Sequence, residues 1–151
     1  MIIDLLTVLV VVTSGVVAGV LFGFAVSVLP AFFVMPTGRY IYSAELIGRN
    51  WDPMMPIIVL TSFAVDIVLA VIGPGGRTGS LFITGAVLLA GVSVVSHYCN
   101  VPINRAVKKV DPENIPADWR DPRPLWRRFH YLRTVLAILA VAVNAIALSL
   151  V

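Results

Sequence analysis

The sequence predicts an all-α integral membrane protein, a four-transmembrane-helix bundle with a short amphipathic cytoplasmic segment between helices 1 and 2. Three observations carry this. Of 151 residues, 59% are hydrophobic and only 13% charged, against about 25% charged in ordinary soluble domains; the mean hydropathy is +0.96. The apolar residues gather into four runs, at about 5–35, 54–72, 81–96 and 132–151, each near or beyond the roughly 20 residues that cross a bilayer core. Finally, these are unbroken runs, not period-two alternations, so helices rather than barrel strands must satisfy the backbone in lipid. One domain, residues 1–151, is expected, with helices at about 5–35, 54–72, 80–101 and 122–150.

Helix 1 opens with "MIIDLLTVLV", which has an acid, no basic residue and no small-x-small cleavage pattern, so it is expected to stay in the mature chain. Gly15, Gly19 and Gly23 form a small-residue ladder. Close packing inside the bundle is its plainest use, with homodimerisation the alternative. Pro30 and Pro36 should bend or end the helix. The next segment, "RYIYSAELIGRNW", sets Tyr40, Ala44, Ile47, Gly48 and Trp51 at helical spacing, as in an amphipathic helix at the interface or capping the bundle.

Helix 2 carries Val59, Ser62, Asp66 and Ala70 at steps of three and four. Asp66 is the one ionisable residue deep in the bilayer, where an acid costs roughly 2.5–3.5 kcal/mol, so a partner such as Asn144, Thr84 or Thr13 is expected. A protonated, hydrogen-bonded structural acid is the leading reading; proton relay or ligand binding is the other. The short "GPGGRTGS" loop then makes helices 2 and 3 an antiparallel hairpin.

Helix 3 projects Ala86, Ala90, Ser93, His97, Asn100 and Asn104 on one face, and helix 4 projects Trp126, His130, Arg133, Ala137, Ala140 and Asn144. Between them lie Pro102, Pro112, Pro116, Pro122 and Pro124, half of the chain's 10 prolines. Asp111-Pro112 and Asp121-Pro122 each read as an N-cap followed by proline.

Charge gives orientation. The two long loops and the adjoining edge of helix 4 hold Arg39, Arg49, Arg105, Lys108, Lys109, Arg120, Arg123, Arg127, Arg128 and Arg133, and the opposite loop holds only Arg77. The positive-inside rule therefore puts both large loops in the cytoplasm and both termini outside, in a multi-pass protein of the bacterial inner (plasma) membrane. The pI of about 9.4 reports this topology; membrane lipids are the expected partners, and no nucleic acid. A protein partner or homo-oligomer is left open.

The polar residues at the cytoplasmic mouth admit two readings. His97, Asn100 and Asn104 on helix 3 can face Trp126, His130 and Arg133 on helix 4 across a pocket for a small hydrophobic ligand, roofed by Tyr40–Trp51 with Asn50 available. Alternatively the asparagines cap helix ends while Trp126 and Arg133 anchor the interface. The single cysteine, Cys99, allows no internal disulfide and has no resolving partner. Metal binding is not expected, because the two histidines and Cys99 lack ligand spacing. No phosphate loop, dinucleotide fingerprint or hydrolase nucleophile motif occurs.

"NVPIN" at 100–104, about twenty loop residues, then Trp126-x-x-x-His130-x-x-Arg133 opening the last helix resemble the anthrone oxygenase-like family of small four-helix membrane proteins. "VLPAFFVMP" and "RNWDPMMP" fit the same pattern, and the resemblance covers essentially the whole chain. It implies oxygenation of a phenolic, anthrone- or quinone-like molecule with no metal or flavin cofactor. His130 would be the base, with His97 as a spare. Asn100 and Asn104 would hydrogen-bond the enolate oxygen, Arg133 would add positive charge beside it, and Trp126 would form an aromatic wall. The competing functions are a non-catalytic accessory subunit or a lipid- or quinone-binding module, and, on thinner grounds, a small transporter.

Overall fold

The computed structural model describes the backbone of residues 1–151 and every side chain except those of Asn50, Asp52 and Pro53. Four long helices make up the chain: α1 over Ile2–Val34, α2 over Thr37–Ile72, α3 over Gly76–Val107 and α4 over Arg123–Leu148. All four contain a stretch long and apolar enough to span a bilayer, which in α2 is Met54–Ile72. α1 packs on α2 and α4, and α3 packs on the same two, so the helices form a four-cornered bundle. The chain is a multi-pass helical membrane protein, with residues such as Val12, Val16, Leu60, Val87 and Val135 turned outward, as a lipid-facing surface requires.

α1 and α3 share a backbone feature that periodicity alone does not disclose. A five-residue π-helical turn interrupts α1 at Phe24–Val28 and α3 at Ser96–Asn100, and the α-helix resumes at Leu29 and Val101. In each case proline is the second residue after the turn, Pro30 and Pro102. A proline in a helix lacks the N–H and drives its ring toward the carbonyl four residues back; a wider turn relieves the clash.

α2 differs from expectation. The amphipathic segment is helical, but it is continuous with the membrane span and makes one helix of 36 residues. Prolines inside membrane helices remove a hydrogen bond without ending the helix. Tertiary packing holds the first turns, since Tyr40 and Ile41 are buried with Phe32 and Val107. Extended Met35 and Pro36 reverse the chain between α1 and α2, as the restriction on a residue before proline favours. At the opposite end Gly75 and Gly76 have φ of 71° and 53°, a left-handed region that glycine enters without steric cost.

The core has three layers. Val10, Leu69, Phe82 and Ala147 fill the end near the termini. Val17, Ala18, Leu21, Val59, Val92 and Ala137 fill the middle. At the basic end, Val110, Ile115 and Trp119 of the 108–122 loop fold back onto Phe32, Tyr40, Ile41 and Val107. The loop comes so close to α2 that a Cβ on Gly38 would sit 2.5 Å from the Pro112 carbonyl oxygen.

The glycine ladder does not pack inside the bundle as expected. Gly19 is exposed, and a Cβ on Gly19 or Gly23 would meet nothing within 4 Å, while one on Gly15 would touch only Val141 at 3.8 Å. The buried face of α1 is Thr7, Val10, Ser14, Val17, Ala18 and Leu21, a heptad-like stripe rotated one position away from the ladder.

Candidate functional site

α2 lies against Gly76–Val95 of α3 but makes few contacts with the helix beyond Ser96. The two helices part toward the basic end. The gap opens into a cavity of about 610 Å³, bounded by all four helices. Its inner wall is apolar and aromatic, with Leu21 and Phe24 from α1, Trp51 and Val59 from α2, Val92 from α3 and Trp126 from α4.

The polar centre lies on α4. His130 is fully buried, and its Nε2 lies 3.0 Å from the carbonyl oxygen of Leu21. A carbonyl only accepts, so Nε2 carries the proton and Nδ1 holds the lone pair. That lone pair faces the Arg133 guanidinium, with Nη2 at 2.9 Å and Nε at 3.3 Å. The i, i+3 spacing on one helix makes this contact possible. Arg133 also reaches Ser96 Oγ on α3 at 3.4 Å. The Trp126 indole stacks on the imidazole with centroids 4.9 Å apart and planes 12° apart, and Phe24 leans on both rings at 5.6 and 5.3 Å. The indole N–H donates to Asn104 Oδ1 at 2.9 Å.

His130, Arg133, Trp126 and Asn104 therefore line one cavity. His97 lines the same cavity at its exposed edge, against Tyr98. The Asn100 side chain goes elsewhere: it is fully buried, donates weakly to the Trp126 carbonyl oxygen at 3.4 Å and ties α3 to α4. Its Oδ1 has no partner among the described residues. The cause is the π turn, whose wider period brings Val101 rather than Asn100 onto the cavity-lining face. The Asn50 side chain lies outside the described residues. Asp66 and Asn144 meet in the other half of the bundle, where both are fully buried and Asn144 Nδ2 donates to Asp66 Oδ2 at 3.3 Å.

Sequence reasoning missed Phe24, Ser96 and the Leu21 carbonyl. The signal that could have found them is proline: Pro30 and Pro102 each follow a residue pair that closes a π turn flanking the site. It also missed Arg123 as a clamp. Arg123 Nη1 donates to the carbonyl oxygens of Phe32 and Met35 at 2.6 and 2.9 Å, carbonyls left open at the end of α1. Its guanidinium lies 4.9 Å over the Tyr40 ring and pairs with Asp121 at 2.6 Å. Burial acts to raise the Asp121 carboxyl, but the hydrogen bonds and charge of Arg123 prevail and hold it below its ordinary value. Burial, reinforced by the nearby Asp121 charge, pushes the Tyr40 phenol up to about 12.

A neutral imidazole, a guanidinium, an amide and stacked aromatic walls can bind a flat ligand and stabilise negative charge on its oxygen. No curated protein and no solved structure matches the chain. The family model described as "Anthrone oxygenase" does match, over residues 44–143, a stretch that contains Trp51, Asn104, Trp126, His130 and Arg133. With two thirds of its length covered, including most of the cavity's polar centre, this chain belongs to the anthrone oxygenase family.

Proposed function

We propose that the protein is a membrane-embedded, cofactor-independent oxygenase acting on a phenolic, anthrone-like or quinone-like molecule in the α1–α4 cavity. The observation that carries this reading is the stacked Trp126–His130 pair with Arg133 on the imidazole lone pair, set in a chamber large enough for a fused-ring ligand. In the resting site the guanidinium occupies Nδ1, so His130 acts as a base only after Arg133 turns to another acceptor. The ligand's ring oxygen is that acceptor. As Arg133 and Asn104 hydrogen-bond the oxygen, Nδ1 is released and takes a proton from the activated ring carbon, leaving an enolate. The enolate carbon passes electrons to dioxygen and forms a C–O bond. Loss of water from the resulting hydroperoxide leaves a quinone, so one anthrone and one dioxygen give one anthraquinone and one water.

The Lys/Arg asymmetry supports an orientation with both termini outside and the basic end in the cytoplasm, in a bacterial inner membrane. A ligand-binding module without chemistry is the second reading, favoured by the engagement of both His130 nitrogens.

Anthrone itself is the test substrate, with purified protein in detergent and no added metal or flavin. The expected result is quinone formation matched one to one by oxygen uptake. His130→Ala lowers it by roughly 10²–10⁴-fold, and Arg133→Ala slows it while the bundle stays folded. Anthrone turnover no faster than in protein-free solution overturns the catalytic reading.

A further inference from the structure

The cavity is graded from apolar to basic. Its deep wall is aromatic and aliphatic. Where α2 and α3 separate, the exposed rim runs from Pro56 and Leu60 on α2 to His97 and Arg105 on α3. Lys108, Arg123 and Arg133 also line it, and no Asp or Glu does so among the described residues. Arg123 is paired with Asp121, and Arg133 with His130. Arg105 is exposed and makes no hydrogen bond or ion pair among the described residues. The spacing Ser93, His97, Val101, Arg105 repeats every four residues through the π turn, which carries the cavity-lining face of α3 out to this arginine.

We infer that the ligand is an aromatic carboxylate. Its rings lie in the inner chamber, and its acid lies against Arg105 at the cleft between α2 and α3. A neutral aromatic would fill the chamber and leave Arg105 to water. A carboxylate also satisfies Arg105, because the planar guanidinium offers it paired donors. The open side of the cleft, with Leu60 and Pro56 of α2 and Arg105 and His97 of α3 exposed along the cavity lining, suits a molecule that arrives in the bilayer with its acid at the membrane surface. This assignment rests on the cavity being the ligand site, as proposed above.

The test compares anthraquinone-2-carboxylate with 2-methylanthraquinone, matched in ring system and differing in the acid. Binding is read by quenching of tryptophan fluorescence in zwitterionic nanodiscs, for wild type, Arg105→Gln and Arg77→Gln. The expected result is that wild type and Arg77→Gln favour the carboxylate by about tenfold, ~1.4 kcal/mol. Arg105→Gln loses that preference and keeps its affinity for the methyl compound. Equal binding of both probes to wild type, or a preference that survives in Arg105→Gln, overturns the carboxylate assignment and leaves the cavity as a ligand site. Binding of neither probe overturns both.

Discussion

Gly85 lies directly against Asp66 and Asn144, and replacing it tests the buried polar pair. A Cβ built there would lie 2.5 Å from Asn144 Oδ1 and 2.8 Å from Asp66 Oδ2, below any normal contact. To admit a methyl group the two side chains must part, although both are fully buried with nowhere to swing. Two terms add. Losing an interhelical hydrogen bond in a bilayer costs about 0.6 kcal/mol on average and up to ~1.7, and overpacking a filled core costs about 1–3 kcal/mol. Gly85→Ala should therefore destabilise the bundle by roughly 2–4 kcal/mol, even though alanine is the better helix former. Reversible unfolding in mixed micelles reads this directly. Gly79→Ala, where the Cβ would lie at an ordinary 3.8 Å from the Ala70 carbonyl oxygen, and Gly19→Ala, where nothing lies within 4 Å, serve as references and should be neutral or slightly stabilising. Asn144→Ala removes the closest obstructing atom, so in that background the Gly85 penalty should shrink by more than 1 kcal/mol as neighbours that share a cavity couple. If Gly85→Ala unfolds at the same point as Gly19→Ala, the close approach of the three residues is wrong.

Asp66→Asn should retain most of the stability that Asp66→Leu loses, by about 1–3 kcal/mol, because only the amide can still meet Asn144; equal unfolding of the two would deny the hydrogen bond a role. Arg123→Gln should cost roughly 2–3 kcal/mol and speed hydrogen exchange over residues 29–40, since the Phe32 and Met35 carbonyls lose their donor. The same clamp sets an acid limit. Asp121 is held below its ordinary value, so its contribution is complete above the unfolded carboxylate pKa of about 3.9 and fades as pH falls through the lower folded value. With the intrinsic pH dependence of exchange divided out, protection at the basic end should thus fall below about pH 4 in wild type but not in Asp121→Asn. Cysteines placed at Glu113 and Gly76 in a Cys99→Ser background should label from the inside and outside of intact cells respectively; external labelling at 113 would reverse the orientation.

The four spans were legible because bilayer thickness imposes a length and an apolar composition that any window of the sequence exposes. Most of the site was legible for a related reason: Trp126, His130 and Arg133 sit on an uninterrupted α-helix, where steps of four and three give the true face. Asn100 was misplaced because its face is set by a π turn, and the proline that explains the turn follows it in the chain. α2 was divided in two because polar residues and Pro53 mimic a boundary, while the packing of Tyr40 and Ile41 that carries the helix onward is long-range. Gly19 shows the limit of motif reading, since three glycines at helical spacing define a face but not which neighbour it meets. The Arg123 clamp joins residues about ninety positions apart, and nothing local announces it.

The paired π turns have a consequence for how the chamber can change. Space inside a bundle is usually made by trimming side chains, and any larger replacement closes it again. Here two of the backbones that border the room, α1 and α3, each carry one residue more per turn where they skirt the site and are followed by a proline. Such a chamber outlives exchange of the side chains that line it. Descendants of this chain are free to redraw the lining at Phe24, Trp51 or Val101 and so alter what enters, provided the register upstream of Pro30 and Pro102 is kept. Removing a single residue from either turn would return it to regular α-helix and take the extra backbone away from the border of the chamber.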